Sequence, residues 1–199
     1  MKKILSVVLV LTCMFALFSC NFELPFGNGG NDNANEGVAA FTAAIENTNA
    51  SNIIVESVVN SELGELESRY EIVYNADGSA TITYEYEQFN LIGEGADNEL
   101  VSTFSGVVTR NADGTYSGDM PAVDLTGVTA GVKLNLAAVE ATVNESGDVL
   151  TANVAAANTE AVLGSAFSED VALEMTIANG AVKQISLTFA SGSVNYSYD

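Results

Sequence analysis

The sequence predicts an α+β fold: a curved antiparallel β-sheet, wound as a long meander and packed on an N-terminal helix, with a short second helix near residues 158–166. Three observations predict it. From Ile53 onward apolar and polar residues alternate with period two, the mark of strands with one buried and one wet face. Turn tetrapeptides punctuate these runs: Asn75-Ala76-Asp77-Gly78, its near copy Asn111-Ala112-Asp113-Gly114, and Asn179-Gly180. Ahead of them, Val38, Phe41 and Ile45 recur at helical spacing on one face.

In chain order, residues 1–19 read as a secretory signal. Lys2 and Lys3 precede an apolar run from Ile4 to Phe18 that is too short to span ~30 Å of hydrocarbon, which takes about 20 residues. Residues 20–37 read as a tether, because the Gly/Asn run from Gly27 to Asn33 has nothing with which to build a core. Residues 38–199 then form a single domain. Its helix covers residues 38–47, with Asn35 placed to cap it and Asn47-Thr48-Asn49 to stop it.

The first strands place Ile53, Val55, Ser57 and Val59, then Leu66, Ser68, Tyr70, Ile72 and Tyr74, then Ile82, Tyr84 and Tyr86 on the apolar face. Residues 100–110 and 115–119 form the next pair, around the second copy of the Asn-Ala-Asp-Gly turn. Residues 91–98 and 120–131 read as loops, broken by glycines and Pro121. Residues 132–143 and 149–154 read as strands around Asn144-Glu145-Ser146-Gly147-Asp148. A short helix follows Asn158 or Thr159. Val171, Leu173, Met175 and Ile177 then alternate, Ile185, Leu187 and Phe189 return, and Val194, Tyr196 and Tyr198 finish. The repeated turn fits either an internal duplication or one economical turn used twice.

Composition removes whole classes of function. Six Lys and Arg face 26 Asp and Glu, a net charge of −20, and loss of Lys2 and Lys3 leaves four basic residues against the same 26 acids, −22. Such a surface repels nucleic acid and anionic headgroups. There is no histidine, so the usual triads and ordinary zinc sites are excluded. Cys13 leaves with the signal, which leaves no disulfide and no free thiol in the domain. Glu65/Glu67 and Glu85/Glu87 are spaced like paired carboxylates, but close pairs arise freely among 26 acids, and alternation on a wet strand face accounts for them. The expectation is no enzyme, no metal and no cofactor.

Leu17-Phe18-Ser19-Cys20 resembles the lipobox of a bacterial lipoprotein signal peptide, with Leu17, Ser19 and Cys20 on its pattern. The alternative is an ordinary signal peptide. The resemblance implies cleavage before Cys20, lipidation of Cys20 and an extracytoplasmic protein anchored in the cell membrane, or in the outer membrane of a diderm. The order of helix, meander, short helix after Val154 and closing hairpin ending in tyrosines resembles the LolA, LolB and LppX type of lipoprotein half-barrel. That resemblance implies an incomplete barrel whose apolar cavity takes acyl chains, and no catalytic residue. The residues expected to line the cavity are Phe41, Ile45, Tyr70, Ile72, Tyr84, Tyr86, Leu163 and Phe167. The function expected is binding of a lipid or other hydrophobic ligand by a membrane-anchored monomer. The alternative is a surface interaction or structural lipoprotein without a small ligand.

Overall fold

The computed structural model describes residues 36–48, 50–61, 64–90, 99–119, 121, 125 and 133–199. The signal, Cys20, almost all of the tether, the Asn35 cap, Asn49, the 91–98 loop and most of 120–132 lie outside the described residues. Among the described residues, ten strands form one antiparallel sheet: β1 (Asn52–Ser61), β2 (Gly64–Tyr74), β3 (Ala80–Asn90), β4 (Glu99–Arg110), β5 (Tyr116–Gly118), β6 (Ala141–Val143), β7 (Val149–Val154), β8 (Val171–Ala178), β9 (Ala181–Phe189) and β10 (Gly192–Tyr198). The spatial order is β5-β4-β3-β2-β1-β10-β9-β8-β7-β6. Two five-stranded meanders are therefore sewn together by their first and last strands, with Val55 opposite Tyr196 and Ser57 opposite Val194. Among the described residues β5 and β6 do not pair with each other, and the sheet is open.

Alternation decides which face is buried. Ile53, Val55, Ser57 and Val59 are buried on β1, Leu66, Ser68, Tyr70 and Ile72 on β2, and Ala80, Ile82, Tyr84, Tyr86 and Gln88 on β3. The C-terminal meander continues this face through Leu150, Leu173, Met175, Ile185, Leu187 and Tyr196. One residue of slip in any pairing would turn a whole strand's apolar set to water, so the pattern itself holds the register.

Two short helices whose full spans lie among the described residues cover part of this face. The helix α1 (Glu36–Asn47) lies against β9 and β6 and buries Phe41 and Ala44 completely or nearly so. Thr48 pins its end: its hydroxyl donates to the Ala44 carbonyl at 2.7 Å and accepts the Val182 N–H at 2.9 Å. The helix α2 (Thr159–Leu163) is a single turn and a half, closed by Gly164 at φ +73°. It buries Val162 and Leu163, and the Val162 carbonyl accepts the Asn135 N–H at 2.7 Å. Among the described residues no helix is long and apolar enough to cross a membrane.

One expected strand is not formed as read. Within residues 132–143 the described chain makes a 3-10 turn at Leu136–Ala138 and only three residues of strand, Ala141–Val143. Leu136 is buried beneath α2, and docking the preceding backbone on Val162 turns the chain out of the sheet plane. Alternation of Val, Leu and Ala could not distinguish that from a strand.

The two copied turns fold as copies. The Asp77 carboxylate accepts from the Ser79 N–H at 2.9 Å and its hydroxyl at 2.7 Å, and Asp113 does the same with Thr115 at 2.9 and 2.6 Å. In each turn it is the Oδ1 oxygen that takes both bonds. The hydroxyl and then the N–H hold both carboxyls below the ordinary aspartate value of 3.8. Each turn's contribution is therefore complete above that value and is lost as pH falls below it through the lowered folded-state value. Asp113→Ala should lower the thermal midpoint at neutral pH, and the gap from the parent should close below the ordinary aspartate range; thermal melts across pH test this.

Candidate functional site

The apolar face of β1–β4 is built in cross-strand rows. One row runs Ile53, Ile72, Ile82, Val108; the next Val55, Tyr70, Tyr84, Gly106; the next Ser57, Ser68, Tyr86, Phe104; the last Val59, Leu66, Gln88, Ser102. The first row is aliphatic and packed. In the two middle rows large aromatic rings stand beside serines and a glycine, so the rings can lean over small neighbours.

The tyrosines form one cluster. Tyr70 and Tyr86 meet edge-on with centroids 5.6 Å apart, and Tyr84 and Tyr86 are tilted at 5.4 Å. The Tyr70 and Tyr86 hydroxyls share a buried hydrogen bond of 2.7 Å, and the Ser57 and Ser68 hydroxyls share another of 2.7 Å in the next row. The Tyr84 hydroxyl donates to the Asp119 carbonyl at 2.9 Å. Tyr84 lies over Gly106: a Cβ placed there would come within 2.5 Å of its hydroxyl. Burial pushes the Tyr70, Tyr84 and Tyr86 phenols above their ordinary value, so all stay neutral and serve as donors and acceptors rather than as bases.

This cluster reaches the sheet edge. Phe104, directly opposite Tyr86, is 48 % exposed although Tyr86 is buried. Apolar surface thus runs unbroken from the core to solvent.

The opposite face is polar and acidic. Glu56, Arg69 and Glu85 form one cross-strand row, and Val58, Glu67 and Glu87 the next. Arg69 pairs with Glu56 in an exposed ion pair of small stabilising value. Glu67 faces Glu87 directly. Partial burial, then Glu65 and Glu87, hold its carboxyl above the ordinary range. A depression of about 360 Å³ opens here, and a second of about 610 Å³ opens over β7–β10, the two meeting at Asn195. Among the described residues no group of three or more carboxylates is placed to hold a metal ion.

No family model and no curated protein sequence matches the chain. Among solved structures it is similar to LprF from Mycobacterium bovis, at 11 % identity and a TM-score of 0.36, over 82 % of this chain and 91 % of that one. It is also similar to a porin-like protein from Bacteroides uniformis, at 12 % identity and a TM-score of 0.31, over 76 % of this chain and 98 % of that one.

The eight residues expected to line a cavity all lie on the apolar side of the sheet, in three groups. Tyr70, Ile72, Tyr84 and Tyr86 form the β2–β3 group just described. Phe41 and Ile45 belong to the α1 layer over β9 and β6, while Leu163 is the last residue of α2 and Phe167 follows it, where the Phe167 and Phe189 rings stand 5.5 Å apart. Six of the eight, all but Ile45 and Phe167, are no more than 6 % exposed. The paired carboxylates stand on the opposite face, where Glu67 and Glu87 are cross-strand neighbours. Sequence reading placed Ser57 and Ser68 on the apolar face without giving them a part in the tyrosine site, and it missed Gly106 and the exposed Phe104. Gly106 carried a signal, since a glycine inside a strand marks close approach by another group.

Proposed function

We propose that this chain is an extracytoplasmic, lipid-anchored binding protein of half-barrel type that takes a lipid or other hydrophobic ligand on the apolar face of β2–β4. One observation carries the reading: the tyrosine-lined apolar face continues to a half-exposed Phe104 instead of ending in a polar rim. An acyl chain laid there would cover Phe104 and contact the Tyr86 row, and each buried methylene would be worth about 0.8 kcal/mol. The Tyr84 hydroxyl, part-buried and donating to the Asp119 carbonyl, would still offer a polar end an acceptor. The anchor through Cys20 would place this face near a membrane. The reading is of a binder and not a catalyst, since neutral phenols and surface carboxylates supply no activated nucleophile.

The test is native mass spectrometry of residues 21–199 purified from a membrane-containing host. Every described element lies within 36–199, so removing the first 20 residues touches none of them. The expected result is a co-purifying lipid mass that leaves on denaturation, with weaker retention in Phe104→Asp. A clean apo mass with no uptake of a fluorescent fatty acid would overturn the reading and favour an interaction module.

A further inference from the structure

Outside the signal segment the chain has four basic residues, Arg69, Arg110, Lys133 and Lys183, against 26 acids. Arg69 is taken by Glu56 on the polar face, and Lys133 and Lys183 are exposed. Arg110 alone of the four is part-buried. It stands on the apolar side of the sheet, two residues beyond the completely buried Val108 on the same strand. Among the described residues it makes no ion pair. A part-buried cation without a counter-charge is unusual anywhere, and more so in a chain of net charge −20.

The neighbours of Arg110 suit an anion. A cross-strand row runs Tyr74, Ala80, Arg110, Tyr116, so a tyrosine stands on either side of the guanidinium. Ala80 between Tyr74 and Arg110 is completely buried, which means that larger side chains close over it. Burial raises the Tyr74 phenol above its ordinary value; beyond that, the Arg110 charge lowers it and Tyr116 raises it. The three groups are therefore within electrostatic reach of one another, and Tyr74 stays neutral.

We infer that Arg110, flanked by Tyr74 and Tyr116, holds the anionic head, a carboxylate or phosphate, of an amphiphilic ligand whose chain lies against the apolar side of β4. This rests on the ligand reading above and specifies the polar end of that ligand. The guanidinium is always charged and offers five N–H donors in a planar fork that matches either anion. Tyr84 cannot serve such a head, because its hydroxyl already donates to the Asp119 carbonyl and keeps only acceptor capacity. Elsewhere the acidic surface repels an anion, so charge complementarity selects this point. Arg110 and the half-exposed Phe104 lie six residues apart on one face of β4, ~20 Å of strand. One acyl chain fills about half of a ~30 Å hydrocarbon core. Such a chain, with the reach of the arginine side chain added, can engage both residues.

The test is fluorescence titration of residues 21–199 at neutral pH with two probes of the same chain and fluorophore, a fatty acid and the fatty alcohol. The acid should bind about tenfold more tightly than the alcohol, a charge-assisted hydrogen bond discounted for the partial exposure of Arg110. Arg110→Gln should remove that preference and leave alcohol binding unchanged, which also reports that the variant is folded. Lys183→Gln, exposed on β9, should keep the preference. Equal affinity of the unsubstituted domain for the two probes, or an equal loss of the preference in Lys183→Gln, would overturn the inference and leave the ligand reading standing. Displacement of the fatty acid by inorganic phosphate alone would mark a site for free anions and would also overturn it. Binding of neither probe would overturn the ligand reading and this inference together.

Discussion

Phe41→Ala is expected to destabilise the domain by about 3–5 kcal/mol, the usual cost of emptying a buried phenylalanine site. Phe41 is completely buried in the layer between α1 and the sheet, and among the described residues the other anchors of α1 are smaller: Ala44, the half-buried Val38 and Ile45, and the Thr48 bridge to Val182. A helix of twelve residues has little stability of its own, so its place depends on that side chain. The measurement is urea unfolding followed by far-ultraviolet circular dichroism. The midpoint should fall with the slope unchanged if α1 stays docked with a cavity beneath it. A loss below ~1 kcal/mol would mean that α1 contributes little to the fold, contrary to its burial.

The second large effect concerns the buried tyrosine pair. Tyr70→Phe leaves the Tyr86 hydroxyl without its 2.7 Å partner, whereas in Tyr86→Phe the Tyr70 hydroxyl keeps its hydrogen bond to Ser68. Tyr70→Phe should cost about 1–3 kcal/mol, the penalty for stranding a buried polar group, and Tyr86→Phe less. The double change removes both hydroxyls and keeps both rings, so it should cost less than the sum of the two. A double-mutant cycle read by thermal unfolding gives the coupling directly. Additive losses would mean that the two hydroxyls do not depend on each other, and the cluster would have to be held by its rings alone.

Strand identity was legible because period two carries two facts at once, the strand and its buried face. Val55, Tyr70, Ile72, Ile82 and Tyr84 are buried where alternation placed them. The turns were legible because Asn, Asp and Gly close them with their own atoms: Asp77 and Asp113 need only neighbours two residues away, and Gly78 and Gly114 take φ +85°. Neither depends on the rest of the fold. The 3-10 turn at Leu136–Ala138 does depend on it, through the backbone contact to Val162, and a pattern of small and branched residues was read there as a strand.

The candidate site was half legible. Its tyrosines declared themselves by size and face, but the sequence could not show that Tyr84 lies over Gly106 or that Phe104 stands at an edge. Burial of a strand residue depends on its neighbouring strands, and Phe104 has Tyr86 on one side and, among the described residues, no strand on the other. By itself, then, the sequence determined what local chemistry and periodicity can specify: which segments extend, which face is apolar, where the chain turns, and a strongly acidic charge balance. Only the tertiary structure decided that the first strand pairs with the last, that α1 covers β9 and β6, and that, among the described residues, β4 finds a partner on its outer side only at Val108–Arg110. Those are choices among distant partners, set by how the whole apolar face can be covered, and no single stretch of residues records them.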